Sequence, residues 1–224
     1  MLLSSIKEKL HPALYAAIEK SGIVSFTPAQ QKAVKAGLLQ RVSLLMCTPT
    51  SSGKTLVAEI AALQSILYKK GKAIYIVPLK ALASEKFNDF KEKYGAVAKI
   101  ALTMGDIDSD DSYLLEYDLI ITTAEKLDSL VRHNAPWLKY ISVVCIDEIH
   151  LINDESRGPT LEILIILLKQ ILHNVQLICL SATIGNPREL SDWLETELIV
   201  DDWRPVRLEK GILLENKVMF AKGG

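Results

Sequence analysis

The stretch that decides the fold reads Val42-Ser43-Leu44-Leu45-Met46-Cys47-Thr48-Pro49-Thr50-Ser51-Ser52-Gly53-Lys54-Thr55. Its first part, Val42–Cys47, is a short apolar run of the kind that forms a buried strand. A polar loop, Thr48–Thr55, comes next, and Lys54–Tyr68 then has the length and apolar periodicity of a helix. The segment therefore predicts a strand, a tight loop and a helix in immediate succession.

The same alternation continues along the chain. Further strands are predicted at Ala73–Val77, Lys99–Thr103, Leu119–Thr122, Ile141–Ile146 and Val175–Leu180. Further helices are predicted at Ser4–Lys20, from Pro28 onward, and at Leu79–Tyr94, Ala124–Arg132, Pro159–Leu172 and Pro187–Leu194. Ile199–Leu208 is expected to form a closing strand or hairpin that Pro205 confines to a sheet edge. Strands that are nearly continuous apolar runs between helices predict an α/β fold, with a mostly parallel sheet flanked by helices on both faces.

Composition limits the classes of protein that fit this chain. Its 224 residues carry a net charge of −1, so it is not a strongly basic nucleic-acid binder, and any such contact must be local. The three cysteines follow apolar runs and include no Cys-x-x-Cys pair, which favours free, buried thiols in a reducing compartment, here the cytoplasm, over a zinc site. No signal peptide is evident, and the longest apolar run, Leu161–Leu172, is too short to span a membrane.

The loop Thr48–Thr55 has the features of a phosphate-binding loop. Gly53-Lys54-Thr55 matches the Gly-Lys-[Ser/Thr] end of that pattern, whereas Thr48 stands where the full pattern has its first glycine. Gly53 permits close backbone approach, Lys54 would reach the β- and γ-phosphates, and Thr55 would bind Mg²⁺. A chance Gly-Lys-Thr in a polar turn is the alternative, and the strand before and helix after the loop argue against it. The residues expected to bind phosphate are Thr48, Pro49, Thr50, Ser51, Ser52, Gly53, Lys54 and Thr55.

An acidic box follows the apolar run Ile141–Ile146. Asp147 and Glu148 place two adjacent carboxylates at a strand end, which is costly unless a cation or solvent lies there. With a phosphate loop upstream, we expect Asp147 to hold Mg²⁺, through a water, and Glu148 to act as the general base that activates the attacking water. A solvated helix N-cap is the alternative. Another strand end carries Ser181-Ala182-Thr183, a tripeptide with little meaning alone.

Taken in order, these segments resemble known helicase motifs. Thr48–Thr55, Asp147–His150 and Ser181–Thr183 are similar to motifs I, II and III of superfamily 2 helicases, and Gln30 lies in a segment similar to the Q motif. The box and the Arg157–Glu162 segment look like the Ski-like branch, nearest to the archaeal Hjm-type DNA repair helicases. This resemblance implies a RecA-like P-loop NTPase domain in which Gln30 selects ATP by reading the adenine edge. It also implies catalytic roles for Lys54, Asp147 and Glu148.

The resemblance extends to a nucleic-acid track. Pro78–Ala83 is similar to motif Ia, Met104–Asp106 to the short motif after it, and Thr122–Lys126 to motif Ib. The residues thereby expected to contact nucleic acid are Pro78, Lys80, Ala81, Gly105, Asp106, Thr122, Thr123 and Lys126. The residues expected to couple this track to the nucleotide are His150, Ser181, Ala182 and Thr183. For Lys80 and Lys126, a solvated helix face explains the sequence equally well.

Three regions are expected along the chain. Residues 1–40 would form helices with the Q motif packed on the motor domain, 41–210 the RecA-like ATP-binding domain, and 211–224 the start of a connection to a second domain. The resemblance implies that this second RecA-like domain, with its arginine finger, and winged-helix and ratchet domains lie outside these residues. Since an arginine finger contributes about 10³–10⁵ in rate, we expect weak ATP binding and slow hydrolysis from this chain alone.

The function that the resemblance implies is that of an ATP-dependent 3′–5′ DNA helicase in repair or in restart of stalled replication forks. It would act as a monomer on single-stranded or forked DNA, with ATP and Mg²⁺ and with the remaining helicase domains of the same chain. RNA as the substrate, or a non-catalytic ATP-binding scaffold, are the alternatives. The intact Lys54, Asp147 and Glu148 argue against the scaffold.

Overall fold

A computed structural model describes residues 1–105, 111–206, 211–214 and 217–220. The strands are β1 Leu44–Cys47, β2 Lys72–Val77, β3 Ile100–Thr103, β4 Leu119–Thr123, β5 Ile141–Ile146, β6 Gln176–Ser181, β7 Glu197–Val200, β8 Gly211–Leu214 and β9 Lys217–Phe220. The α-helices are α1 Pro12–Lys20, α2 Pro28–Lys35, α3 Lys54–Leu67, α4 Lys80–Tyr94, α5 Ala124–Arg132, α6 Gly158–Ile171 and α7 Pro187–Leu194. Short 3₁₀ helices lie at Leu3–Lys9, Leu38–Gln40, Ser112–Glu116, Leu138–Tyr140 and Ile149–Asn153.

Seven strands form one parallel sheet in the order β3-β4-β2-β5-β6-β1-β7. Helices connect the strands, because parallel neighbours require crossovers that return the chain to the same end of the sheet. The separate pair β8 and β9 is antiparallel. The predicted fold class is confirmed: the sheet that carries the core is parallel.

Both faces of the sheet are covered, because strand residues alternate between two cores. On one face Leu44 and Met46 of β1 pack in a cluster with α1, α2, α3 and α4. On the other face Leu45 and Cys47 pack with α5, α6 and α7. The three cysteines are free and buried, as their apolar surroundings predict. In the part of the chain that is described, no helix has the length and apolar character to cross a bilayer.

Two expectations about elements were wrong in detail. Ser4–Lys20 is two elements, a 3₁₀ helix that ends at Lys9 and then α1, because a proline restricts the residue before it to extended backbone. His11 is extended accordingly, and its Nδ1 caps α1 by accepting from the amide of Ala13 at 3.3 Å. The last parallel strand, β7, starts before Ile199 and ends at Val200, so Pro205 plays no part in it; residues 207 and 208 lie outside the described ranges.

The N-terminal helices share the core of the sheet. Leu14 and Ile18 of α1 are fully buried in the cluster that contains α3. Further along, Lys32 of α2 forms an ion pair of 2.9 Å with Asp201, which follows β7. The boundary drawn at residue 40 and the role of 211–224 remain predictions.

Candidate functional site

The strand order gathers the predicted site residues at the carboxyl edge of the sheet and divides them into two groups. The phosphate loop follows β1, the acidic box follows β5, and Ser181 ends β6, which lies between those two strands. The predicted nucleic-acid residues that the structure describes lie at or just beyond the ends of β2, β3 and β4, which form the other half of the sheet. A parallel sheet binds its ligands at this edge, so both groups occur where a ligand would be expected.

The phosphate loop is closed by its own side chains. Thr48 is fully buried, and its hydroxyl lies 2.7 Å from the hydroxyl of Ser52, so the residue that replaces the pattern's first glycine links the start of the loop to its middle. Ser51 and Gly53 both have positive φ, 66° and 84°, which turns the chain sharply into α3. Pro49 is buried, whereas Thr50 and Ser51 are exposed at the tip.

Lys54 lies inside the loop with its ammonium group on backbone oxygens. Its Nζ donates to the carbonyl oxygens of Ser181 at 2.9 Å and Thr48 at 3.3 Å. Burial lowers the pKa of Lys54, and the nearby carboxylates of Glu148 and Asp147 act in the opposite direction. The buried ammonium group of Lys54 thus joins the start of the loop to the end of β6.

Gln30 connects the N-terminal helices to this loop. Its Oε1 accepts from the amide of Thr27 at 2.8 Å in a capping box at the start of α2. At the other end of the amide, Nε2 donates to the carbonyl oxygen of Gly53 at 2.8 Å. Thr27 adds a second link, because its hydroxyl donates to the carbonyl oxygen of Ser52 at 3.0 Å. A side chain added at Gly53 would overlap Gln30, so the glycine is required for this contact.

Asp147 is fixed by a residue that no motif indicated. Its Oδ2 accepts from the hydroxyl of Tyr75, a fully buried residue of β2, at 2.9 Å. Its Oδ1 accepts from the amide of Glu148 at 3.1 Å. Burial, followed by the charge of Asp147, raises the pKa of Tyr75 well above its usual value, so the phenol remains a donor. Both carboxylate oxygens are therefore held in place.

A second unpredicted residue, Lys86 of α4, shows that a cation fits between Thr55 and Asp147. Its Nζ lies 3.3 Å from Thr55 Oγ1 and 3.9 Å from Asp147 Oδ2. These are the two oxygen groups that the sequence assigns to Mg²⁺, and hydroxyl and carboxylate oxygens are the ligands this hard cation prefers. These two oxygen groups therefore suit the metal. The ammonium group of Lys86 lies against both of them.

The second carboxylate of the box is linked to the next strand through a histidine. Glu148 has a positive φ of 52°, a backbone conformation that non-glycine residues rarely adopt. Glu148 Oε2 lies 3.2 Å from Nδ1 of His150, and the amide nitrogen of Ala182 lies 3.4 Å from that same Nδ1. His150 thus contacts both the box and the Ser181–Thr183 segment, and its coupling role stays a prediction.

The predicted nucleic-acid residues differ in accessibility. Lys80, Ala81 and Gly105 are exposed and Pro78 is half-buried, all beyond the ends of β2 and β3. Thr122 and Thr123 are buried, and the hydroxyl of Thr123 caps α5 by accepting from the amide of Lys126 at 3.4 Å. Asp106 lies outside the described residues.

Lys126 is placed differently from Lys80. Its side chain is only 3% exposed, and its Nζ forms an ion pair of 3.1 Å with Asp111, which also accepts from the hydroxyl of Thr103 at 2.6 Å. In this arrangement the ammonium group is directed into the protein, where it joins α5 to the end of β3. A contact between Lys126 and nucleic acid stays an untested prediction.

Comparison with known proteins places the chain among helicases. The family model described as DEAD/DEAH box helicase matches residues 27–190. An ATP-dependent DNA helicase Hel308 from Methanocaldococcus jannaschii is 56% identical over 211 residues, and one from Pyrococcus abyssi is 48% identical over 220 residues. The alignments cover 90% and 98% of this chain, but only 17% and 30% of those relatives.

A solved structure gives the same result for the fold. The crystal structure of the DUF1998 helicase MrfA bound to DNA and AMPPNP matches with a TM-score of 0.74 and 27% identity, covering 87% of this chain and 30% of that one. The chain thus spans less than a third of the length of each protein it matches here.

Proposed function

Since the chain belongs to the DEAD/DEAH box helicase family, as its motifs predict, we propose that it is the ATP-binding motor domain of a 3′–5′ DNA helicase. The helicase would act in the cytoplasm, as a monomer, in repair or restart of stalled replication forks. One observation carries the proposal. The β5-β6-β1 order brings Lys54, Asp147 and Glu148 to one place at the sheet edge, beside a phosphate loop.

Each of these residues has a task in the hydrolysis of ATP. The loop amides and the first turn of α3 cradle the phosphates, and Lys54 exchanges the carbonyl oxygens of Thr48 and Ser181 for phosphate oxygens. Glu148 orients the attacking water and accepts its proton. Gln30, which already holds Gly53, has one amide hydrogen and one oxygen lone pair left for the adenine edge.

Thr55 and Asp147 would hold Mg²⁺, directly or through a water. When bound, this ion neutralises charge on the β- and γ-phosphates. Tyr75 contributes by keeping the Asp147 carboxylate in one orientation.

A nucleic-acid strand would lie across the ends of β2, β3 and β4. The first turn of α4 starts at Lys80 without a side-chain cap, so its amides are available to a backbone phosphate, and the Lys80 ammonium supports the same contact. Gly105, an exposed residue just after β3, would add a backbone amide. Contacts of this type bind the backbone of any sequence, which suits a translocating motor.

Two variants test the nucleotide part of the proposal on the 224-residue chain. Lys54→Met is expected to weaken binding of a fluorescent ATP analogue at least about tenfold, since a charge-assisted contact to phosphate is lost. Glu148→Gln should retain this affinity, because Glu148 acts on the water. The exposed Lys35→Met serves as the control. Equal affinity in Lys54→Met and Lys35→Met would sink the assignment of the loop.

Hydrolysis and substrate are tested on the complete helicase of which this chain would be the motor domain. Glu148→Gln is expected to lower ATP turnover by about 10²–10⁴, the usual contribution of a general base. Unchanged turnover would favour the ATP-binding scaffold. Matched DNA and RNA forks then decide the substrate, and unwinding of RNA alone would replace the DNA assignment with an RNA helicase.

A further inference from the structure

We propose that Lys86 is a built-in counter-cation of the metal position, one that Mg²⁺ displaces when it arrives with a nucleotide. The inference rests on the proposed function for the identity of the metal and nucleotide. It assigns a positioning role to a residue that lies outside every helicase motif found in the sequence.

The geometry places the ammonium where the metal shell would lie. Nζ of Lys86 is 3.3 Å from Thr55 Oγ1 and 3.9 Å from Asp147 Oδ2, and the side chain is 19% exposed. Magnesium binds oxygen at about 2.0–2.1 Å and keeps several waters in its octahedral shell. An ion that takes both oxygens, directly or through one water, fills the volume that the ammonium occupies. Lys86 and the hydrated metal therefore exclude each other.

Charge balance gives the exclusion a direction. With Lys86 in place, the ammonium groups of Lys54 and Lys86 face the carboxylates of Asp147 and Glu148, so these four groups are formally neutral. The metal alone would add uncompensated positive charge beside Lys86. The metal–ATP complex carries a net negative charge, so it adds no uncompensated positive charge beside Lys86. Lys86 thus opposes binding of the free metal and makes occupation of the site depend on the nucleotide.

The alternative is that Lys86 only fastens α4 to the protein. This helix has other attachments, because Lys93 pairs with Glu59 of α3 at 3.1 Å and the hydroxyl of Tyr94 donates to the same carboxylate at 2.7 Å. Phe90 packs against Tyr75 with ring centroids 5.2 Å apart. Since the helix is held without Lys86, the two roles can be separated by experiment.

Binding of Mn²⁺, a spectroscopic substitute for Mg²⁺, is measured by electron paramagnetic resonance on the 224-residue chain without nucleotide. Lys86→Met keeps an unbranched side chain only one atom shorter and removes its charge, and it is expected to tighten Mn²⁺ binding at least about tenfold. Lys86→Arg should remain near the unmodified chain. The control is Lys91→Met, an exposed lysine of the same helix whose Nζ lies over the Phe87 ring, away from the site.

Thermal unfolding gives a second readout. Lys86→Met should lower the unfolding midpoint of the metal-free chain, since Asp147 loses its counter-charge. Addition of Mg²⁺ should then raise the midpoint of the variant by more than it raises the midpoint of the unmodified chain. If Mn²⁺ affinity stays within about twofold and Mg²⁺ shifts both midpoints equally, Lys86 is a structural contact and the proposal is overturned. Binding of the ATP analogue is measured in parallel, so loss of the nucleotide function would be seen separately.

Discussion

Replacement of Tyr75 by phenylalanine isolates one hydrogen bond of the candidate site. The ring of Tyr75 is fully buried in β2 and packs edge-on against Phe90, so Tyr75→Phe leaves the packing intact. It removes only the hydroxyl, which donates to Asp147 Oδ2 at 2.9 Å. Because the pKa of Tyr75 is raised by burial and by the Asp147 charge, the phenol stays protonated in any neutral buffer.

The magnitude follows from what Asp147 loses. A hydrogen bond to a charged group contributes about 1.5–3 kcal/mol. The Asp147 side chain is 13% exposed, so water replaces part of the lost donor, and the expected decrease in the free energy of unfolding is about 1–2 kcal/mol. For a domain of this size, each kcal/mol lowers the unfolding midpoint by about 2–4 °C. A freed carboxylate should also raise the Mg²⁺ concentration needed for ATP binding, by about tenfold or more.

The assay has a matched control within the same aromatic stack. Tyr94 is also buried, its ring lies 5.9 Å from that of Phe90, and its hydroxyl donates to a carboxylate of Glu59 at 2.7 Å. Tyr94→Phe therefore removes the same kind of bond away from the acidic box. Urea unfolding followed by circular dichroism should show a loss in both variants, and titration of the ATP analogue with Mg²⁺ should show a shift in Tyr75→Phe alone.

Either of two results would refute the reasoning. Unchanged stability in Tyr75→Phe would mean that water satisfies Asp147 as well as the phenol does. An equal shift in Mg²⁺ dependence for Tyr75→Phe and Tyr94→Phe would mean that general loosening of the core, not the orientation of Asp147, controls the metal.

Two further substitutions test the loop and the link to β7. Gly53→Ala should weaken binding of the ATP analogue at least about tenfold and cost about 1–2 kcal/mol, because the residue has positive φ and its new Cβ would overlap Gln30. The control is Gly22→Ala, at φ +81° with open space around it, which should lower stability through the backbone alone and leave binding of the ATP analogue unchanged. Equal binding in Gly53→Ala and Gly22→Ala would contradict this account. For Asp201, burial raises the pKa, but hydrogen bonds from Lys32 and a backbone amide outweigh burial and lower it overall. The stability this carboxylate contributes is therefore present above its ordinary pKa of about 3.9 and is lost as the pH falls through the lowered value. Urea unfolding should show Asp201→Asn less stable at about pH 7, with the difference decreasing as the pH falls below the ordinary pKa of an aspartate, about 3.9, and a difference independent of pH would contradict this assignment.

The sequence predicts the elements well where local signals are strong. The bounds of α5 and α7 agree with the predicted ranges Ala124–Arg132 and Pro187–Leu194, since Thr123 caps one helix and a proline opens the other. The helix at Ser4–Lys20 was misjudged because the apolar period continues through His11, where proline interrupts the backbone. The apolar periodicity of a segment indicates which face of a helix is buried. It does not indicate whether the helical turns are continuous.

The site was only partly predictable from the sequence, because no local sequence pattern determines the order of the strands in the sheet. Tyr75 lies in an apolar run and has the sequence features of a core residue. Its contact with Asp147 requires that β2 and β5 be neighbours, although β3 and β4 lie between them in sequence. Lysines are ambiguous in the same way. Lys80 and Lys126 fit the same prediction, yet one is exposed and the other is buried against Asp111.

The arrangement around α4 explains why a list of motifs leaves out the link between the two halves of the site. The helix packs on β2, β3 and β4 and starts at Lys80, in the half that carries the proposed nucleic-acid track. Less than two turns later along the helix, Lys86 contacts Thr55 and Asp147 in the half that carries the phosphate loop and the acidic box. Motif Ia covers only the start of the helix and therefore does not include Lys86. A single helix, attached at its far end through Glu59, thus contacts both halves, so displacement of Lys86 by a metal would act on the same helix that presents Lys80.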